Sequence, residues 1–180
     1  MAEFDVFADQ LWEESKRFLE KASDSAEKAA EAAHLHAALM LSFCALEARI
    51  NSISDEASLR SDLSEHERGL VLERDVRLDD GKFKLQAALK IIRLEDRIEF
   101  LHTKLSGKPI DKSASWWGQL QSAIHLRNDL THAKAVPAIT ETTVRQALQA
   151  ILETLDALSK AIYGKKLPAT DAGLRSSLRF

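Results

Sequence analysis

Apolar residues recur every three or four positions along most of this chain, and this is the spacing of one face of an α-helix. The predicted helices cover about residues 3–22, 26–56, 86–106, 113–132 and 140–163. In the 86–106 helix, the predicted buried stripe is Leu89, Ile92, Ile98, Leu101 and Leu105. Helices of this length, with apolar faces to bury, predict helix-on-helix packing.

Short sequence signals separate these helices. Ser64 and Glu67 have the spacing of a capping box, which predicts a short helix running to about Arg74. Residues 76–85 alternate around Asp80-Gly81, a pattern that favours a β-hairpin or an extended loop. The fold class expected is therefore all-α: an up-and-down bundle of about five or six helices with a short hairpin near 76–85.

The predicted domain organisation is simple. Residues 1–163 form one helical domain, in which 1–22 is the N-terminal helix. The segment 164–180 carries Lys165, Lys166, Arg175 and Arg179 with one acidic residue and shows no periodicity. It is expected to be a basic, flexible tail.

Two charged residues lie on apolar stripes. On a helical wheel Arg127 falls roughly 20° from Leu120, in the middle of the stripe of its helix. Glu47 falls roughly 40° from Phe43 within the stripe of the second helix. Because a buried charge without a partner is costly, we expect Glu47 and Arg127 to meet in the core. The alternative is that Glu47 reaches the helix edge and pairs with Arg49 or with solvent.

Arg127 is followed directly by Asn128, and four residues separate Arg127 from His132. This pattern resembles the signature of the HEPN superfamily, whose members are all-helical. The resemblance covers roughly residues 30–163, and 45–51 also resembles an early HEPN helix that carries an acidic residue facing the motif. It implies that Arg127, Asn128 and His132 are catalytic and that Glu47 and Asn51 support them. As in catalytic HEPN proteins, the expected activity is metal-independent cleavage of RNA, without a cofactor.

The chemistry of these side chains suits such a reaction. The ribose 2′-hydroxyl can attack the adjacent phosphorus, so the protein needs to move a proton and stabilise charge on the phosphate. An imidazole such as that of His132 transfers protons near neutral pH. The guanidinium of Arg127 matches phosphate oxygens, and the amide of Asn128 can orient the phosphate or His132.

Composition places few limits on this interpretation. The chain has 180 residues, of which 45% are hydrophobic and 29% charged, and its single cysteine excludes an internal disulfide. The N-terminus lacks a signal-peptide pattern, and no apolar run has the length of a membrane span, so a cytoplasmic protein is expected. The net charge is −3, yet residues 101–134 carry +3. The candidate RNA-binding residues are Lys104, Lys108, Lys112, His125 and Lys134.

Two other interpretations stay open. The chain could be a non-catalytic helical module for binding or regulation, in which Glu47 holds Arg127 and His132 has no role. It could also be purely structural, with the ion pair setting helix register.

On a straight helix Arg127 and His132 lie roughly 140° apart, so two protomers could be needed to build one site. Similar HEPN proteins pair in this way, so a homodimer with the motif near its interface is expected. The resemblance also implies a toxin of a toxin–antitoxin pair or a phage-defence effector. The antitoxin in such pairs is often a small nucleotidyltransferase.

Overall fold

The computed structural model describes residues 3–180 and is mainly helical. The elements are α1 (Glu3–Ser23), α2 (Lys28–Ser58), α3 (Glu65–Val71), β1 (Arg74–Asp79), β2 (Lys82–Leu89), α4 (Leu94–Ser106), α5 (Ser115–Thr131), α6 (Glu141–Tyr163) and α7 (Ala169–Ala172). The predicted all-α bundle with a short hairpin is therefore confirmed.

The core of the bundle forms around α2, which contacts α1, α3, α4, α5 and α6. Each long helix turns its apolar stripe toward this centre, where the side chains are shielded from water. The fully buried residues include Leu39, Leu46, Ile50, Ile98, Leu101, Leu120, Leu148 and Ile151. Burial of these stripes is the main stabilising contribution to the bundle.

Several helix ends fall where the sequence predicts them. Ser64 and Glu67 form the expected capping box at the start of α3. Thr140 caps α6 by accepting a hydrogen bond from the Thr143 N–H. Gly107 ends α4 in the left-handed conformation, with φ of 70°, which glycine adopts without steric cost.

The prediction of one helix over 86–106 is wrong for residues 86–93, because α4 begins at Leu94. Residues up to Leu89 belong to β2, which pairs antiparallel with β1, and Leu89 lies opposite Arg74. Lys90 then donates a backbone hydrogen bond of 2.8 Å to the Glu73 carbonyl, which closes the base of the hairpin. Leu89 is consequently 74% exposed rather than buried. Pairing with β1 satisfies the backbone here, so the helical period is overridden by tertiary structure.

The C-terminal segment, for which the sequence predicts a basic, flexible tail, lies against α1. It includes the short helix α7 and returns along α1, where the Lys16 ammonium donates to the Arg175 carbonyl at 2.8 Å. The Ser176 hydroxyl donates to the Glu13 carbonyl at 2.9 Å, and the Phe180 ring packs edge-on against Phe18. Specific polar contacts of this kind carry no periodicity and leave no signal in the sequence.

One helix, α2, is long and apolar enough to cross a membrane by length and composition alone. This is weak evidence, because the central helix of a bundle meets the same criteria. The buried residues of α2 include Leu39, Phe43, Leu46 and Ile50, which pack inside the bundle. The packing of α2 does not indicate a membrane protein.

Candidate functional site

The motif lies at the C-terminal end of α5. Trp117, Leu120 and Ile124 are buried and fix the rotation of this helix against the core. Arg127 continues the same stripe, and its side chain is only 23% exposed. The helix ends at Thr131, so His132 is the C-cap residue, with φ of −122° and ψ of 39°. The imidazole is thus carried by a turn rather than by the helix, and His132 is exposed.

The expected contact between Arg127 and Glu47 is present, but it lies at the edge of the core. A nitrogen of the guanidinium is 3.4 Å from Glu47 Oε1, and the Glu47 side chain is 46% exposed. At this distance the pair is a loose ion pair rather than two parallel hydrogen bonds. Glu47 lies off the centre of the stripe of α2, and this position lets its carboxylate reach solvent.

Other neighbours complete the surroundings of Arg127. Its guanidinium carbon lies 5.1 Å from the centre of the Phe43 ring, a cation–π arrangement. Arg49, the alternative partner for Glu47, forms ion pairs with Asp5 and Asp9 on α1. The Arg127 Nε is buried and has no hydrogen-bond partner among the described residues. The Nε–H is therefore an unsatisfied buried donor, and within residues 3–180 the side chain is held by Glu47 and the Phe43 ring alone.

Asn51, which is predicted to support the motif, forms its hydrogen bond with a different arginine, Arg97. Its Oδ1 accepts a hydrogen bond of 2.7 Å from Arg97 of α4. Arg97 also donates to Glu73 at 2.9 Å and to the Ser54 hydroxyl at 3.1 Å. Burial lowers the pKa of Arg97, whereas the Glu73 carboxylate raises it, as do Glu47 and Asp55. This cluster joins α2, α4 and the base of the hairpin.

Arg97 was not predicted from the sequence, although a signal for it exists. It lies between Leu94 and Leu101 at helical spacing, next to Ile98, and is thus a charged residue on an apolar stripe. That is the criterion that identifies Arg127. The predicted helix begins at residue 86, and its stripe runs through Leu89 and Ile92 and does not include Arg97.

Two clefts meet at the motif. The first, here called the Arg127 cleft, has a volume of about 320 Å³ and lies between α2, α4, α5 and the loop that joins β2 to α4. Its polar lining includes Glu47, Asn51, Arg97, Arg127 and Asn128, and its apolar lining includes Ile91, Ile92 and Ile124. Donors, acceptors and apolar surface are thus combined in one concave site, as small-ligand sites require.

The second cleft, here called the His132 cleft, has a volume of about 530 Å³. It is lined by Asn128, Asp129, His132, Lys134, Ala135, Val136 and Pro137. Asn128 lines both clefts, whereas Arg127 lines only the first and His132 only the second. Within one protomer the motif therefore spans two adjoining clefts and does not converge on one point.

The candidate RNA-binding residues do not form one surface. Of the five, Lys134 lines the His132 cleft, and His125 is exposed on α5. Lys104 is engaged with Glu67 at 3.1 Å, and Lys112 with Glu99 at 2.8 Å. Lys108 is exposed in the loop before α5. That loop lies about 25 Å from the motif, the length of the 17-residue helix α5.

The remaining reactive group near the motif is Cys44, one turn before Glu47 on α2. Partial burial raises the pKa of its thiol, and the Glu47 carboxylate raises it further. The thiol stays protonated at neutral pH and is a poor nucleophile. Among residues 3–180, no group of three or more His, Cys, Asp and Glu side chains is placed to hold a metal ion.

Comparison with known proteins gives no relative: no protein-family model, no curated protein and no solved structure matches this chain.

Proposed function

We propose that this protein is a metal-independent endoribonuclease of HEPN type that cleaves RNA through attack of the 2′-hydroxyl. The observation that carries the proposal is the position of the motif at the end of α5. Arg127, Asn128 and His132 line two adjoining clefts, and Asn128 is common to both. A guanidinium and an imidazole thus reach accessible surface on either side of one amide.

These residues can divide the reaction between them. The 2′-oxygen forms a bond to phosphorus and the bond from phosphorus to the 5′-oxygen breaks, which gives a cyclic phosphate and a 5′-hydroxyl. His132 transfers the proton that leaves the 2′-hydroxyl or reaches the 5′-oxygen. Arg127 stabilises the charge on the phosphate oxygens through donors that Glu47 leaves free. Asn128, between them, orients the phosphate.

The active form we propose is a homodimer with the motif beside its interface. A groove between α5 and α6 ends at Leu126, next to Arg127. It is lined mainly by small and uncharged polar residues such as Gly118, Ser122 and Gln146, and Glu153 is the charged residue in its lining. From Ser115 to Leu126, α5 has no Asp, Glu, Lys or Arg, although 29% of the chain is charged. Depletion of charge is typical of the centre of an interface, and a two-fold contact centred on residues 115–126 of α5 opposes no like charges.

The biological setting we propose is cytoplasmic, as the toxin of a toxin–antitoxin pair or as a phage-defence effector. An unregulated ribonuclease would damage its own cell, so a cognate regulator is required. A small nucleotidyltransferase antitoxin is the partner suggested by the HEPN resemblance.

The test is cleavage of total RNA by the purified protein in the presence of EDTA. We expect cleavage to persist, to leave cyclic phosphate ends, and to be abolished in His132→Ala with the fold unchanged. His36→Ala is the matched control, because His36 is exposed on α2 about three turns before Glu47. Products ending in a 3′-hydroxyl, or cleavage that requires magnesium, would contradict the mechanism.

A non-catalytic binding or regulatory module is the second candidate. It is favoured by the contacts of Arg127 with Glu47 and the Phe43 ring, which give the arginine a structural role without chemistry. In that case His132→Ala leaves every property unchanged, and the wild-type protein cuts no RNA in either EDTA or magnesium.

A further inference from the structure

The rim of the Arg127 cleft carries an unusually exposed aliphatic side chain. Ile91, in the loop between β2 and α4, is 84% exposed, and the cleft is also lined by Ile92 and by Ile124 of α5. When a flat apolar ligand covers a large exposed apolar residue at the mouth of a cleft, apolar surface leaves water and binding is favoured. The walls of this cleft therefore suit a planar ring.

The polar side of the cleft is preorganised. Glu47 and Asn51 lie one turn apart on α2, so both side chains face the same direction. Because Arg97 has only donors, its hydrogen bond of 2.7 Å fixes Asn51 Oδ1 toward the core and turns the amide nitrogen away. Glu47 contacts Arg127 through Oε1 alone, at 3.4 Å, and its other oxygen has no partner among the described residues.

We propose that the Arg127 cleft binds a guanine base of the RNA, in the nucleotide next to the cleaved phosphate. A carboxylate offers two acceptor oxygens side by side, and among the RNA bases guanine alone presents two adjacent N–H donors on its pairing edge. The Glu47 carboxylate accepts from these donors, and the Asn51 amide nitrogen donates to the guanine carbonyl oxygen. Ile91, the exposed apolar residue of the lining, covers one face of the ring.

The cleft position links this base to the motif. Arg127 and Asn128 line the same cleft as Glu47 and Asn51, so the phosphate of a bound nucleotide lies toward the motif. The choice of an RNA base as the ligand rests on the proposed function. Binding itself does not depend on catalysis, since His132 lines the other cleft.

The experiment measures binding of guanosine, adenosine, cytidine and uridine 3′-monophosphates by amide NMR of the full-length protein. We expect guanosine 3′-monophosphate to shift the amides of residues 91–95 and to bind about tenfold tighter than the other three, as one bidentate base contact provides. Glu47→Gln should abolish this preference, because the amide offers only one acceptor. Ile91→Asp should weaken binding of all four nucleotides.

The matched control is Leu59→Asp, since Leu59 is equally exposed, at 85%, and lies outside the Arg127 cleft. The proposal is overturned if no nucleotide at millimolar concentration shifts residues 91–95, or if Glu47→Gln keeps the preference for guanosine. Equal binding of all four nucleotides by the wild type overturns it as well. A protein that binds guanosine 3′-monophosphate selectively but cuts no RNA would refute the proposed function and leave this site in place.

Discussion

At the scale of single residues, the two arginines beside the motif differ in burial. Arg97 is 4% exposed and donates to Asn51, Ser54 and Glu73, whereas Arg127 has the half-exposed Glu47 as its ionic partner. We therefore expect Arg97→Ala to lower the free energy of unfolding by about 3 kcal/mol, the lower end for a broken buried pair. Glu47→Ala should cost about 1 kcal/mol or less, because solvent screens its charge.

Urea denaturation of both variants and the wild type measures these costs. Equal losses for Arg97→Ala and Glu47→Ala would show that the Arg97 cluster is not the stronger of the two. A loss above about 3 kcal/mol in Glu47→Ala would mean that the Glu47–Arg127 pair is as buried as the sequence suggests.

Tyr163 gives a residue-scale prediction for pH. Partial burial, followed by the hydrogen bond of 3.0 Å to Glu56, raises the pKa of Tyr163 from 10.0 to about 12. The folded protein keeps the phenol proton that the unfolded chain releases first. This contribution to stability is therefore fully present below pH 10 and is lost as the pH rises toward 12.

The measurement is direct, because Tyr163 is the only tyrosine in the chain. Absorbance of the tyrosinate in the native protein should titrate well above its value in urea. Tyr163→Phe should show a smaller loss of stability than the wild type over the same pH range. Titration of native Tyr163 at its ordinary value would contradict the contact with Glu56.

The sequence predicted single residues well where a charge sits on an apolar stripe. Arg127 and Glu47 were paired correctly because the wheel gives direction within a helix and a misplaced charge needs a partner. The burial of the Glu47–Arg127 ion pair could not be predicted, because it depends on how far the two helices are rotated relative to each other. The contact of Asn51 with Arg97 could not be predicted, because the predicted stripe of the 86–106 helix does not include Arg97.

At the scale of elements, the hairpin is fixed by close contact with α3. A Cβ at Gly69 would lie 2.6 Å from Val76 Cγ2 and 2.8 Å from the Arg74 carbonyl oxygen. The second of these atoms is backbone and cannot move without shifting β1. The hairpin base also contributes Glu73, the carboxylate that binds Arg97, at 2.9 Å. The position of one wall of the Arg127 cleft therefore depends on a glycine in another element.

Gly69→Ala is expected to destabilise the protein by about 1–3 kcal/mol through overpacking, although alanine favours helix. Gln121→Ala is the control, because Gln121 is also helical, is exposed and does not line the groove of the proposed dimer. That control should be neutral or stabilising by up to about 1 kcal/mol. Equal thermal unfolding of the two variants would contradict close packing of the hairpin against α3.

The boundary between the hairpin and α4 shows what periodicity cannot decide. Leu85, Leu89 and Ile92 have helical spacing, yet the structure uses the first two in β2. Pairing with β1 decides the conformation of this stretch. The Asp80-Gly81 turn predicts the hairpin, but it does not show that β2 continues past residue 85 to Leu89. The ends of α5 and α6 were predicted closely, because caps, Gly164 and Pro137 act locally.

At the scale of the whole molecule, the surface has a region without charged side chains on α5, although most of the chain is rich in them. The chain carries a net charge of −3 and 29% charged residues, but α5 is free of charge from Ser115 to Leu126. The facing segment of α6, residues 146–152, is also uncharged, and Glu153, which follows it, is the charged residue in the groove lining. Such a surface suits contact with an identical copy, and it lies beside the motif, whose two chemical groups occupy separate clefts in one protomer.

We therefore expect light scattering at micromolar concentration to give about twice the 20.1 kDa of one chain. Ser122→Arg should yield monomers and lose RNA cleavage, because two like charges would meet in the groove and the composite site would be dissolved. Gln121→Arg is the matched control: its side chain is exposed on the same helix but does not line the groove, so dimer and activity should persist. A monomeric wild-type protein that still cleaves RNA would show that one chain suffices. The His132 turn would then have to bring the imidazole to the Arg127 cleft without a partner.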